Sequence, residues 1–179
     1  MIRTVCLFVL VAALFACGDK KEAAPTAPKP SAELASFTLK VDPGEAISVE
    51  DAKEAAPKDG VVAVGRIRNI VKGFASFQLT DASLDYCGGG ADKMDDCATP
   101  WDYCCIPQTE VNTATLLVEA RDKNGKVLES ADLPGLRLLD LVVVKGKLTK
   151  DEHGNVTIEA TGWHRRERPE LRDGLSWPE

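Results

Sequence analysis

LVVVKGKLTKDEHGNVTIEA, residues 141–160, contains two strand-like runs separated by a short polar turn. In the second run, apolar and polar side chains alternate from Val156 to Thr161. Alternation with a period of two is typical of a strand that buries one face. The residues between the runs, Asp-Glu-His-Gly-Asn at 151–155, favour a turn. The stretch therefore predicts an antiparallel β-hairpin.

Most of the chain that precedes this hairpin has a similar strand-like character. The strand candidates of the whole chain are 61–70, 74–82, 113–121, 127–131, 139–149 and 156–164. In the third of them the apolar residues Leu116, Val118 and Ala120 share one face. The short segment 127–131 is expected to pair with that third strand across the turn 122–125, because Asn-Gly suits a tight hairpin.

Two further signals bear on the shape of this sheet. A short helix is predicted over 48–56, where Ser48 and Asp51 fit a capping pattern. Gly65, Gly146 and Gly162 interrupt strand interiors, where glycine marks bulges and barrel corners. These glycines favour a small, strongly curved barrel over a flat sheet.

A helix leading into VVAVGRI (61–67), then FASFQLTD (74–81), a third strand and the hairpin at 141–160 together resemble the bacterial periplasmic OB-fold families. The resemblance covers about residues 47–164. It implies a mainly β fold: a small, five- to six-stranded antiparallel OB-like barrel with one short N-terminal helix. A cysteine-rich insertion at 85–112 departs from the family pattern, and the helix usual between strands three and four is reduced to about 133–140. A β-sandwich is the structural alternative.

The N-terminus reads as a secretory signal, with Arg3 ahead of an apolar run at 5–16. Twelve apolar residues are too few to span a hydrocarbon core of about 30 Å as a helix. LFAC at 14–17 resembles the bacterial lipobox, which implies cleavage before Cys17 and diacylation of its sulfur. Gly18 at the next position would direct the lipoprotein to the outer membrane, facing the periplasm, if the cell is Gram-negative. The predicted localisation is the cell envelope.

Composition then divides the chain into four parts. Residues 1–16 are the signal peptide, and 17–36 hold the lipidated cysteine and a Lys-, Glu-, Ala- and Pro-rich tether predicted to be disordered. The OB-like domain covers 37–164, and 165–179 form a C-terminal tail. The local basic patch at 163–168 is expected to be solvated rather than to bind an anion, because acidic residues dilute it.

Four cysteines remain for the folded domain: Cys87, Cys97, Cys104 and Cys105. In an oxidising compartment an even number favours disulfides, each contributing about 2–3 kcal/mol for loops of this length. A bond between the adjacent Cys104 and Cys105 would be strained, so Cys87 and Cys97 are each expected to pair with one of them. A zinc site is the alternative, although the C-x2-C spacing of zinc knuckles is absent. The loop's aspartates, with Asp81, are expected to form a solvated acidic surface.

The main information on function is that the sequence contains none of the common catalytic motifs. No nucleophile elbow, metalloprotease helix, phosphate loop or C-x-x-C pair occurs, so we expect no catalysis, catalytic residue, metal or cofactor. A net charge of −6 disfavours nucleic acid as a partner. The hypothesis is a lipid-anchored binding or structural module with an envelope protein or small molecule as ligand, and Trp101 and Tyr103 as candidate contacts. The alternative is a metal-binding or thiol-redox protein using the four cysteines.

Overall fold

The computed structural model describes residues 33–87 and 102–170. Two short α-helices and a 3-10 helix accompany seven strands. The helices are the 3-10 helix Leu34–Phe37, α1 (Val49–Glu54) and α2 (Gln108–Thr113). The strands are β1 (Lys58–Ile70), β2 (Gly73–Phe74), β3 (Ser76–Thr80), β4 (Thr115–Ala120), β5 (Glu129–Ser130), β6 (Leu141–Lys150) and β7 (Val156–Glu167). None of the helices in these two ranges is long and apolar enough to cross a membrane.

Five strands close into a barrel in the order β1-β3-β4-β7-β6. This is the Greek-key order of an OB-like barrel, which confirms the mainly β class and the barrel. Four of the five barrel pairings are antiparallel, as expected, whereas β4 and β7 pair in parallel, with Leu117 opposite Thr157. The reason is one of parity. Strand directions cannot alternate all the way round a closed ring with an odd number of members, so at least one pair must be parallel.

The barrel core follows the alternation read from the sequence. Leu116, Val118 and Ala120 are buried on β4, and Val156, Ile158 and Ala160 are buried on β7. Trp163 lies at the aromatic centre, where its ring stacks on Phe37 and meets Phe77 edge-on, with centroids 5.4 and 5.8 Å apart.

The boundaries of the folded domain differ from the predicted ones at both ends. Leu34, placed in the tether by composition, is fully buried in the barrel core. The structured domain thus begins before residue 37. At the other end, β7 continues to Glu167, so residues 165–167 belong to the barrel and not to the tail. The predicted signal, the tether up to residue 32 and residues 171–179 of the predicted tail lie outside the described residues.

The predicted helix is confirmed as α1, and its N-terminus is capped twice. The Ser48 hydroxyl accepts a hydrogen bond from the Asp51 amide at 2.9 Å, and the Asp81 carboxylate accepts one from the Glu50 amide at 3.0 Å. Asp81 is buried, which corrects its assignment to a solvated surface. Burial alone would raise the pKa of Asp81, but hydrogen bonds from the Ser83 and Glu50 amides outweigh it and hold that pKa below its ordinary value.

The region between β4 and β6 departs from the prediction. The turn at Asn124-Gly125 forms, with Gly125 at a φ of 82°. Only one bridge, Arg121 to Val127, then continues the expected hairpin. β5 pairs instead with β2, Phe74 opposite Glu129, in a separate two-stranded sheet. Helix α2 was not predicted, and its last residue, Thr113, is the first residue of the expected third strand. Residues 133–140 contain turns in place of the expected short helix.

Two of the three strand glycines allow backbones to approach closely. A Cβ atom added at Gly65 would lie 2.5 Å from the Thr80 carbonyl oxygen, and one at Gly146 would collide with the Glu159 backbone. A β-bulge lies between Lys145 and Gly146, as glycine at that position suggested. At Gly162 the obstacle is the Leu39 side chain, 2.7 Å away, which can move.

These contacts predict unequal effects of adding one methyl group. Gly65→Ala should lower the free energy of unfolding by about 1–3 kcal/mol, because backbone cannot yield as a side chain can. Gly162→Ala is the matched control and should cost clearly less. Urea denaturation of both variants measures the difference, and equal losses would contradict a close backbone approach at Gly65.

Candidate functional site

A polar groove runs across the outer surface of three neighbouring barrel strands. Its floor is a row of opposed residues: Gln78 on β3 lies opposite Leu117 on β4, which lies opposite Thr157 on β7. The cavity measures about 520 Å³, within the range of small-molecule sites. The floor therefore combines hydrogen-bonding groups with a partly exposed leucine.

Side chains from both helices and from β1 form one wall of this groove. Lys53 of α1 donates to the carbonyl groups of Asn112, Thr113 and Thr115, at 3.3 Å for Asn112 and 2.9 Å for Thr115. Partial burial lowers the pKa of Lys53. Arg68 at the end of β1 donates to the Asn112 side chain at 3.0 Å.

Arg68 makes a second bond, to the Gln108 side chain at 2.8 Å, so its guanidinium is held by α2 from two positions. The β6–β7 turn forms the other wall. In it, the Asp151 carboxylate accepts hydrogen bonds from the amides of His153 and Asn155, which confirms the predicted hairpin turn. The groove thus has a fixed cation on one side and an ordered turn on the other.

A cluster of three thiols forms the second candidate site. The Sγ atom of Cys87 lies 3.1 Å from that of Cys104 and 3.9 Å from that of Cys105, and the latter two are 3.8 Å apart. All three distances exceed the roughly 2.05 Å of a disulfide bond. These three cysteines lie close together, and the predicted disulfide stapling stays a prediction. Cys97 lies outside the described residues.

A small satellite core holds the cluster at one end of the barrel. Tyr103, Val111 and Leu139 are fully buried there, with partly buried Leu84, Tyr86 and Ile106 packed around them. The Cys87 amide donates to the Asp102 carbonyl oxygen at 2.9 Å, which joins the two described segments of the insertion. Arg66 lies over the Tyr86 ring, 5.0 Å from its centroid. Packing of this core therefore helps to bring the cysteine-bearing segments together.

The other predicted site residues have different outcomes. Cys17, the lipidation candidate, and Trp101, a candidate ligand contact, lie outside the described residues. Tyr103 is fully buried, so it is a core residue, and its assignment as a binding residue is corrected. The wall formed by Lys53, Arg68 and Asn112 was missed by the sequence analysis, because these residues are far apart in the chain and belong to no motif.

The arginines of the basic patch at the C-terminal end of β7 form ion pairs and hydrogen bonds with other parts of the domain. Arg166 pairs with Asp42 at 2.7 Å, and Arg168 pairs with the buried Asp140, also at 2.7 Å. Arg165 donates to the Gly135 carbonyl oxygen at 2.9 Å. These contacts correct the expectation of a solvated tail, because the arginines fasten β7 to segments before β1 and before β6.

Comparison with known proteins yields few matches. No protein-family model matches the chain, and no curated protein matches it. Among solved structures, the chain is similar to the one titled "Structure of the hypothetical protein ygiW from E. coli", at 17% identity and a TM-score of 0.39. The match covers 69% of this chain and 92% of that one. The fold assignment therefore rests on the strand order of the barrel itself.

The satellite core makes a prediction about Tyr103. Within the described residues its hydroxyl is buried without a hydrogen-bond partner, an arrangement that costs about 1–3 kcal/mol. Tyr103→Phe should therefore leave the free energy of unfolding unchanged or raise it. Tyr103→Ala should lower it by about 3–5 kcal/mol, as truncation of a buried aromatic does. Thermal and urea unfolding of the pair tests this, and a clear loss in the phenylalanine variant would show that the hydroxyl has a partner.

Proposed function

We propose that this chain is a lipid-anchored lipoprotein of the cell envelope whose OB-like barrel binds a ligand and performs no catalysis. The observation that carries the proposal is the groove over Gln78, Leu117 and Thr157. It combines a positioned guanidinium, amide and hydroxyl groups and a partly exposed leucine on its floor, which are the elements of a recognition site.

The groove's chemistry indicates the class of ligand. The Lys53 ammonium group donates hydrogen bonds to three backbone carbonyl groups, so its main role is to hold the wall in place and not to bind the ligand. Arg68 is only partly buried and uses two of its five N–H donors in the contacts described above. A small ligand with a carboxylate or carbonyl group beside Arg68 and a short apolar part on Leu117 would fit. Such a group could belong to a small molecule or to the end of an envelope protein.

The anchor part of the proposal rests on the sequence alone. LFAC at 14–17 provides the acylation signal, and acyl chains on one cysteine would hold the protein on a membrane without any spanning helix. The segment from Cys17 to residue 33 would then connect the lipid to the barrel. Outer-membrane placement through Gly18 belongs to the same proposal and applies to a Gram-negative cell.

Cys17→Ser tests the anchor. The variant should lose palmitate labelling and partition into the aqueous phase of a detergent extraction, because the acylated sulfur is gone. Gly18→Ala serves as the control and should keep the label, since the cysteine is intact. Unchanged labelling of Cys17→Ser would contradict the lipoprotein assignment.

A second test addresses the groove. Amide chemical shifts of the labelled chain can be recorded with a panel of small carboxylates, amino acids and short peptides. We expect ligand-dependent shifts to centre on Gln78, Leu117 and Thr157, and Arg68→Ala to weaken binding about tenfold or more, since a charge-assisted hydrogen bond contributes about 1.5–3 kcal/mol.

The matched control for this measurement is Arg137→Ala, which removes an exposed arginine outside the groove. Binding should be unaffected in that variant. Shifts centred on another face of the barrel, or equal weakening by both substitutions, would contradict the groove as the ligand site.

A further inference from the structure

We propose that Cys87, Cys104 and Cys105 bind a thiophilic d10 metal ion, Zn²⁺ or Cu⁺, through their three thiolates. The proposal is independent of the groove. It replaces, for these residues, the disulfide pairing that the sequence favoured.

The spacing of the sulfur atoms is the first argument. A tetrahedral zinc ion with Zn–S bonds of about 2.3 Å places its sulfur ligands about 3.8 Å apart. The distances from Cys105 to Cys104 and to Cys87 are 3.8 and 3.9 Å, while that from Cys87 to Cys104 is shorter, 3.1 Å. A small opening of this last contact would complete a regular triangle of ligands.

The vicinal pair is the second argument. Two adjacent thiolates can both ligate one ion without any bond between them. Cys104 and Cys105 are both exposed, and both sulfurs lie beside that of the buried Cys87. Soft sulfur ligands select Zn²⁺ and Cu⁺ over the hard cations. Three thiolates suit trigonal Cu⁺ and leave Zn²⁺ one further coordination position.

The third argument is that the ligands are positioned before any ion arrives. The Cys87 amide is bonded to the Asp102 carbonyl oxygen, and Tyr103, next to Cys104, is fully buried against Val111 and Leu139. The Asp102 carboxylate accepts a hydrogen bond from the Tyr103 amide at 2.7 Å, which fixes the chain next to Cys104. Metal binding would therefore cost little ordering of the chain.

The test measures the metal and thiol content of the full chain carrying Cys17→Ser, which removes a cysteine outside the cluster. Purified without chelator, it should hold one Zn²⁺ or Cu⁺ per chain by elemental analysis, and the cluster thiols should be reduced by mass spectrometry. Elemental analysis distinguishes the two ions. Cobalt(II) added to the metal-free, reduced chain should produce thiolate-to-cobalt charge-transfer absorption.

Cys104→Ser and Cys105→Ser, made in the same background, should each weaken metal retention against a competing chelator by about 100-fold or more, since even residues that only orient metal ligands contribute 10–100-fold. Their cobalt charge-transfer bands should fall as well. Asp85→Asn is the matched control, an exposed substitution two residues before Cys87, and should leave both readouts unchanged.

Circular dichroism checks that the barrel persists in each variant, which the exposure of Cys104 and Cys105 favours. A metal-free chain whose mass is lowered by the hydrogens lost on disulfide formation would overturn the proposal. Metal that stays bound at full affinity in both serine variants would overturn it too, since the ion would then be held elsewhere.

Discussion

Closure of the barrel through the parallel pairing of β4 with β7 is the constraint on which the rest of the structure depends. It joins Leu117–Ala120 to Thr157–Ala160, segments about 40 residues apart in the chain. Closure leaves no unpaired strand edge within the barrel. It also creates the groove, because Thr157 takes its place beside Leu117 and Gln78 only when β7 completes the ring. The barrel core and the candidate binding surface thus both depend on the pairing of β4 with β7.

The sequence predicted those features that depend on local pattern. Alternation at Leu116, Val118 and Ala120 correctly identified the inner face of β4, and Ser48 correctly marked the start of α1. Local pattern does not report strand direction. The parallel β4–β7 pair follows from the parity of five strands in a ring, an argument that becomes available only once the number of barrel strands is known.

The sequence analysis also missed features that depend on residues far apart in the chain, because local pattern does not show which distant segments meet. Arg168 looked like part of a solvated tail because its partner, the buried Asp140, lies 28 residues earlier in the chain. Tyr103 looked like a surface residue because its cysteine-rich surroundings are polar, yet Val111 and Leu139 cover it. Polar surroundings in sequence are a poor guide to burial where separate segments supply the apolar contacts.

Leu139 links the satellite core to the barrel, and it does so in a strained backbone conformation. Its φ of 62° is unusual for a residue with a branched side chain and costs about 1–3 kcal/mol. The conformation is held by two hydrogen bonds to β1: the Leu139 amide donates to the Ile67 carbonyl oxygen at 2.6 Å, and Arg66 donates to the Leu139 carbonyl oxygen at 3.1 Å.

Burial of the Leu139 side chain against Tyr103 offsets this strain, since burying a leucine contributes about 1.5–3 kcal/mol. The two effects are of similar size and opposite sign. Through Leu139, the segment bearing Cys104 and Cys105 is joined to β1 and to the residues just before β6, although it lies in an insertion. Such contacts hold the segment in place at the end of the barrel, and a ligand site on a loop needs support of this kind.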